Sequence, residues 1–194
     1  MTYQPRRGYA AYAFDFDGTL ADTAALNHAA VQAALAAHGI SVTLTWIAAE
    51  PTVTAGQVRK RLGIPPAALP EDTFVEAARA HWFAHTHLIK PIAAASAAAR
   101  AAADQAPVAV VSANYSDVVR HGLTVIALDD LPWTIVGRLD VPHPKPAPDA
   151  YLHAARLLGT APSQCLAHED SDDGITAATT AGMNVIDIRH QPWH

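Results

Sequence analysis

The chain of 194 residues has one cysteine, Cys165, so no internal disulfide can form, and a reducing, cytoplasmic setting fits. Positive charge is also scarce. Thirteen Lys and Arg against 18 Asp and Glu leave a net charge of −5, with an isoelectric point near 6.1. A nucleic-acid partner usually requires a basic face, so none is expected. No uninterrupted apolar run reaches the roughly 18 residues of a membrane span, so no membrane partner is expected either. The opening residues MTYQPRRGYA carry two arginines with no apolar stretch behind them, which argues against a secretory leader. The alanine-rich run after Pro91 comes nearest to low complexity, and its composition favours helix over flexible linker.

What is present suits a soluble protein of one domain, or one domain with a small insert, whose 51% hydrophobic residues can build a core. Five short apolar runs stand out: Ala10–Phe14, Val108–Ser112, Thr134–Val136, Cys165–Ala167 and Val185–Ile188. Most are apolar throughout rather than alternating, as in parallel strands covered on both faces. Helical patterns separate the later runs. They cover Ala93–Gln105, Ser116–His121 with Ser116 as an N-cap, Asp149–Leu158 stopping at Gly159, and Asp172–Ala181 stopping at Gly182. This alternation predicts an α/β, Rossmann-like doubly wound parallel sheet. Residues 21–90 break it, with helical patterns at Ala24–His38, Thr45–Ala49, Ala55–Leu62 and Thr73–Leu88 and no convincing strand. The expected organisation is a core of residues 1–20 and 91–194, interrupted by a helical cap at 21–90 that would act as a lid.

Four polar signals fall at or just past the ends of predicted strands: Asp15-Phe16-Asp17-Gly18-Thr19, Ser112-Ala113-Asn114, Lys145-Pro146 and Glu169-Asp170. In a parallel sheet they converge on one edge. Clustered carboxylates would raise one another's pKa, and a hard cation such as Mg²⁺ would offset that repulsion with oxygen ligands alone. Such a cation also neutralises a phosphate. Lys145 adds a second positive charge, and Ser112 with the N–H groups after it can bond phosphoryl oxygens. One carboxylate could then attack phosphorus to give an aspartyl-phosphate while another shuttles a proton. Each signal alone has a plainer reading. Asp-Gly is commonly a tight turn, a lone serine a cap, a Lys before Pro a solvated side chain. EDSDDG hints at a calcium loop, but Gly174 falls at position five from Asp170 where that loop needs it at six.

DFDGTL, VVSAN, KPAPDAY and EDSDDGITAATTAGM, in this order and spacing, resemble the four motifs of the haloacid dehalogenase superfamily. The insert stands where that superfamily carries its C1 helical cap. Within it the chain is similar to the β-phosphoglucomutase-like branch and its fructose-1-phosphatase-type members. The resemblance implies Asp15 as nucleophile and Mg²⁺ ligand, and Asp17 as general acid and then base, with its carbonyl on the metal. It implies Ser112 on the phosphoryl group, Lys145 neutralising Asp15 and phosphate, Asp170 completing the metal site and Glu169 in or just behind its first shell. Gly18, Thr19, Ala113 and Asn114 would line the substrate, joined from the cap by Thr54 and by Arg59 of the run Arg59-Lys60-Arg61.

Departures from the pattern sharpen the expectation. Asn27 stands where many relatives have a histidine, and His168 where they have an apolar residue. The mutase branch has a positive charge in the cap loop, here Thr52-Val53-Thr54, and a lysine where this chain has Tyr115. Both cations would serve a second phosphate, so their lack favours hydrolysis over mutation. Asp17 separates the chain from the dehalogenases, which need no such acid. His81, His85 and His87 are expected to pack rather than bind metal, and Trp82 and Phe83 to fill the insert's core. The expected activity is Mg²⁺-dependent hydrolysis of a small phosphate ester, a sugar phosphate in particular, by a monomer, with a sugar phosphomutase as the alternative.

Overall fold

The computed structural model describes residues 8–49 and 53–190. The segment up to Arg7, where no leader was expected, and Thr52 of the uncharged cap loop lie outside the described residues.

The strands in chain order are β1 (Ala11–Phe14), β2 (Ala21–Asp22), β3 (Lys90–Pro91), β4 (Val108–Val111), β5 (Trp133–Val136), β6 (Cys165–Glu169) and β7 (Asn184–Asp187). The helices are α1 (Ala24–Ala37), α2 (Leu44–Ala48), α3 (Ala55–Leu62), α4 (Glu71–Ala84), α5 (Ala93–Ala103), α6 (Ser116–Val125), α7 (Asp149–Leu157) and α8 (Asp172–Thr180). Five strands form one parallel sheet in the order β5-β4-β1-β6-β7, the α/β arrangement the alternating pattern predicts. Every residue of β1, β4 and β6 is buried, which is why β1, β4 and the first three residues of β6 read as continuous apolar runs. The chain builds β4 and β5 on one side of β1 and β6 and β7 on the other. The carboxyl end of β1 is therefore a topological switch point, where open α/β sheets bind ligands.

By its internal contacts the chain divides into two compact units, one running from Thr23 to Leu88 and the other made of the residues on either side. On one face of the sheet the second unit packs Ala11, Ala13, Val111 and Val136 against Tyr151 and Ala154 of α7 and Ala177 of α8. Small residues on both helices let them approach the sheet closely. The Thr23–Leu88 unit is helical, and its core gathers Ala34, Leu35, Ala55, Val58, Leu69 and Phe74. Thr54 starts α3 with a full capping box: its hydroxyl accepts from the Gln57 N–H at 3.2 Å, and Gln57 Oε1 accepts from the Thr54 N–H at 2.8 Å. Among the described residues no helix is long and apolar enough to cross a membrane.

Three local expectations need correction. Strand does occur within 21–90, as the antiparallel pairing of Ala21–Asp22 with Lys90–Pro91; two residues are too few to leave a periodic pattern. The N-cap of α6 is Tyr115, without a side-chain bond, because the Ser116 hydroxyl donates instead to Asp140 at 2.8 Å. β6 runs two residues beyond Ala167, since polar His168 and Glu169 still pair with Ile186 and Asp187 of β7.

Candidate active site

The sheet's carboxyl edge collects the polar signals. Asp15 follows β1, Ser112 follows β4, and Glu169 and Asp170 end and follow β6. The Asp15 N–H donates to the His168 carbonyl at 3.0 Å, which continues the β1–β6 ladder and pins the Asp15 backbone. Past Asp15 the chain turns at once. The N–H groups of Leu20 and Ala21 both reach the Phe16 carbonyl at 3.0 Å, and the Gly18 N–H reaches Ala21 at 2.8 Å. Gly18 has φ +83°, and a Cβ there would lie 2.1 Å from Asp170 Oδ2. Only glycine satisfies both the left-handed backbone and the close approach.

Lys145 arrives from the loop before α7 with its side chain 7% exposed. Its ammonium donates to Asp15 Oδ1 at 2.7 Å, to Glu169 Oε1 at 2.5 Å and to the Val111 carbonyl at 2.9 Å. All three of its protons therefore have acceptors, and the two anions outweigh the burial that would otherwise discharge it, so its pKa is raised. Glu169 is 0% exposed. Besides Lys145, its Oε1 accepts from the Tyr151 hydroxyl at 2.5 Å, and its Oε2 accepts from the Ser171 hydroxyl at 3.2 Å. A Cβ on Gly174 would come within 2.0 Å of this carboxyl carbon, so glycine at the start of α8 makes room for the acid. Ser171 caps that helix by accepting from the Gly174 N–H at 3.1 Å, which ties the capping bond to the site.

Carboxylate oxygens of Asp15, Glu169 and Asp170 lie within 4.8 Å of one another, and among the described residues they are the one such group of metal-capable side chains. Burial pushes the Asp15 carboxyl well up; Lys145 opposes this, while Glu169, Asp170 and Asp17 add to it. Burial, with Glu169 beside it, lifts Asp170 to about 6, against the hydroxyl of Thr19, which donates to Asp170 Oδ1 at 3.3 Å. Crowded, desolvated carboxylates with oxygen-only donors are the chemistry that receives a hard divalent cation.

The remaining predicted residues divide. Ser112 donates toward Asp17 Oδ2 at 3.4 Å and accepts from the Asn114 N–H at 3.0 Å, so that N–H is engaged within its own loop. The Asn114 side-chain oxygen accepts from the Tyr115 N–H at 2.9 Å, and Ala113 is exposed. In the helical unit, Thr54 is the α3 cap already described. Arg59 donates to the Leu69 carbonyl at 2.7 Å, so both have structural partners within that unit. His81 and His85 stack at 4.1 Å, with His85 Nδ1 2.8 Å from the His81 carbonyl. Trp82 is 4% exposed and core, as expected, and its indole N–H donates to Asn27 Oδ1 at 3.0 Å. The buried His168 ring stacks on Phe14 at 4.3 Å, which accounts for an imidazole in an apolar place. Tyr151 is the site residue that sequence reasoning missed. It lies in the quoted KPAPDAY stretch, but nothing in a sequence shows that its hydroxyl meets Glu169.

The chain resembles known proteins in sequence and in fold. The chain is 29% identical over 191 residues to the Escherichia coli fructose-1-phosphate phosphatase YqaB, spanning 93% of this chain and 97% of that one. It is 37% identical over 82 residues to hexitol phosphatase A of the same organism, covering 42% of this chain and 38% of that one. Among solved structures, a Pseudomonas syringae hydrolase superposes with a TM-score of 0.77 at 23% identity, over 91% of this chain and 83% of that one. CbbY from Rhodobacter sphaeroides, solved with phosphate, superposes at 0.73 and 24% identity, over 95% and 90%. Residues 12–188 match the family model of the haloacid dehalogenase-like hydrolases, so the carboxylate edge beside Lys145 lies in a chain that belongs to that family.

Proposed function

We propose that this hydrolase is a phosphatase that removes phosphate from a small phosphorylated metabolite, a sugar phosphate, through an aspartyl-phosphate on Asp15. The observation that carries the proposal is the Lys145 ammonium 2.7 Å from Asp15 Oδ1, at a strand end shared with Asp170 and two residues from Asp17. Similarity to relatives named as phosphatases of fructose 1-phosphate and of hexitol phosphates supports the substrate class.

In the first step an Asp15 carboxylate oxygen attacks phosphorus and the bond from phosphorus to the ester oxygen breaks. Asp17 gives its proton to the departing alkoxide. In the second step a water oxygen attacks the same phosphorus, Asp17 takes the water's proton, and the bond to Asp15 breaks, releasing phosphate and the free carboxylate. Lys145 holds Asp15 in place and puts positive charge beside the phosphoryl oxygens. Ser112, whose hydroxyl lies 3.4 Å from Asp17 Oδ2, would bind a phosphoryl oxygen beside that acid. Asp15, Asp170 and the Asp17 carbonyl, with Glu169 in or just behind the first shell, would hold Mg²⁺. When bound, that ion supplies charge neutralisation for the phosphoryl group. Hydrolysis is favoured over the mutase alternative by Tyr115 and by the absence of positive charge in the sequence Thr52-Val53-Thr54, because a bisphosphate needs a second cationic seat.

The test is phosphate release from a panel of hexose, pentose and hexitol phosphates, with Mg²⁺ and with EDTA. Release that stops in EDTA is expected. No release, with interconversion of a sugar phosphate once a sugar bisphosphate is added, overturns hydrolysis in favour of the mutase.

A further inference from the structure

The hydroxyl of Tyr151 is buried at 0% exposure and donates to Glu169 Oε1 at 2.5 Å, the same oxygen that accepts from Lys145. A carboxylate oxygen shared by two donors pulls less on each of them. Lys145 is at the same time shared between Glu169 and Asp15, at 2.5 and 2.7 Å. The balance between those two anions decides how much of the ammonium's charge reaches Asp15 and a phosphoryl group beside it. Ser171 on Oε2 and the glycine at 174 keep the Glu169 carboxyl from rotating away.

We infer that Tyr151 is a positioning residue: by sharing Glu169 Oε1 with Lys145, its hydroxyl keeps the Lys145 ammonium balanced toward Asp15. The inference rests on the phosphatase reading above. It concerns a residue whose hydroxyl donates to Glu169, and that reading does not require it.

Tyr151→Phe isolates the hydroxyl. The ring stays among Val111, Ala154 and Ala177, and the Lys145 ammonium, 5.2 Å from the ring centroid, keeps its aromatic neighbour. Wild type, Tyr151→Phe and Asp15→Asn are assayed on p-nitrophenyl phosphate over a range of Mg²⁺ concentrations. Circular dichroism at the assay temperature gives the folded fraction of each. For Tyr151→Phe the expected result is a kcat per folded molecule about tenfold lower, with KM within about twofold and the half-saturating Mg²⁺ concentration unchanged. A wild-type kcat per folded molecule overturns the inference, because the hydroxyl then serves stability alone. A loss that vanishes at high Mg²⁺ also overturns it, because the effect then lies on the metal rather than on Lys145. Turnover by Asp15→Asn sinks the phosphatase reading instead, whatever Tyr151→Phe does.

Discussion

The two compact units treat buried polarity in opposite ways. In the α/β unit the sheet edge buries Asp15, Thr19, Ser112, His168 and Glu169; in the helical unit, among the described residues, the one buried polar side chain is Thr23. In the α/β unit Lys145, Tyr151 and Ser171 satisfy the Asp15 and Glu169 carboxylates. The helical unit keeps most polar contacts at its helix ends or partly exposed, as with the capping box of Thr54 and the His38–Thr73 contact at 2.9 Å. A buried ionic network is costly to assemble and adds little stability compared with an apolar core of the same volume. On the proposed reading, the unit that holds this network is the one that carries the chemistry.

The largest effect that could break this comparison is on turnover. Asp15→Asn removes the carboxylate proposed to attack phosphorus while keeping its size and its hydrogen-bonding backbone. Turnover is expected to fall by about 10⁴-fold or more, read as phosphate release, with the fold intact by circular dichroism. Retained activity would refute the assignment of nucleophile and, with it, the claim that the buried network serves chemistry.

Next comes Trp82→Ala in the helical unit. It empties a large buried volume and leaves Asn27 Oδ1 without its indole donor. A loss of about 3–5 kcal/mol is expected in urea unfolding. A loss below about 1 kcal/mol would show that this unit's core is not held by packing of its aromatics.

A third prediction uses pH. Burial depresses the His168 imidazole to about 4, only partly opposed by a hydrogen bond to the Ala13 backbone. The unfolded chain, with an ordinary histidine near 6.5, binds the proton more readily. The stability tied to neutral His168 is therefore fully present above pH 6.5 and is lost as pH falls toward about 4. That contribution amounts to roughly 3 kcal/mol. His168→Leu should flatten this part of the acid-side slope in denaturation curves taken at pH 7, 5.5 and 4. An unchanged slope would mean the ring is not held neutral.

The smallest effect is at a cap. Thr54→Ala removes the hydroxyl that starts α3, and a loss of about 1 kcal/mol is expected. A larger fall in phosphatase turnover than in stability would assign Thr54 a role beyond the capping box and blur the contrast between the units.

Much of the fold could be read from residue patterns. Strands β1 and β4 announced themselves because burial on both faces leaves unbroken apolar runs, and α3 announced itself as the helical pattern Ala55–Leu62. The Ala21–Asp22 and Lys90–Pro91 pair stayed hidden, since two residues have no period and the partner lies far along the chain. Asp15, Glu169 and Asp170 were legible as a group because each stands at the end of a strand run, and parallel strands share one carboxyl edge; Lys145 reaches them from the loop between β5 and α7. The distinction between Glu169 and its neighbour Asp170 was not legible. Glu169 carries Lys145, Tyr151 and Ser171, while Asp170 faces Gly18 and Thr19.

By itself, then, the order of residues determined the α/β class and the set of carboxylates at the sheet's edge. Those follow from local periodicity and from the rule that parallel strands end together. Only the tertiary structure decided which donor meets which oxygen: that Lys145 is shared between Asp15 and Glu169, that Tyr151 shares the same oxygen, and that Asn27 holds Trp82. A hydrogen bond depends on fractions of an ångström between atoms brought together from distant parts of the chain, and no spacing along the sequence encodes that distance.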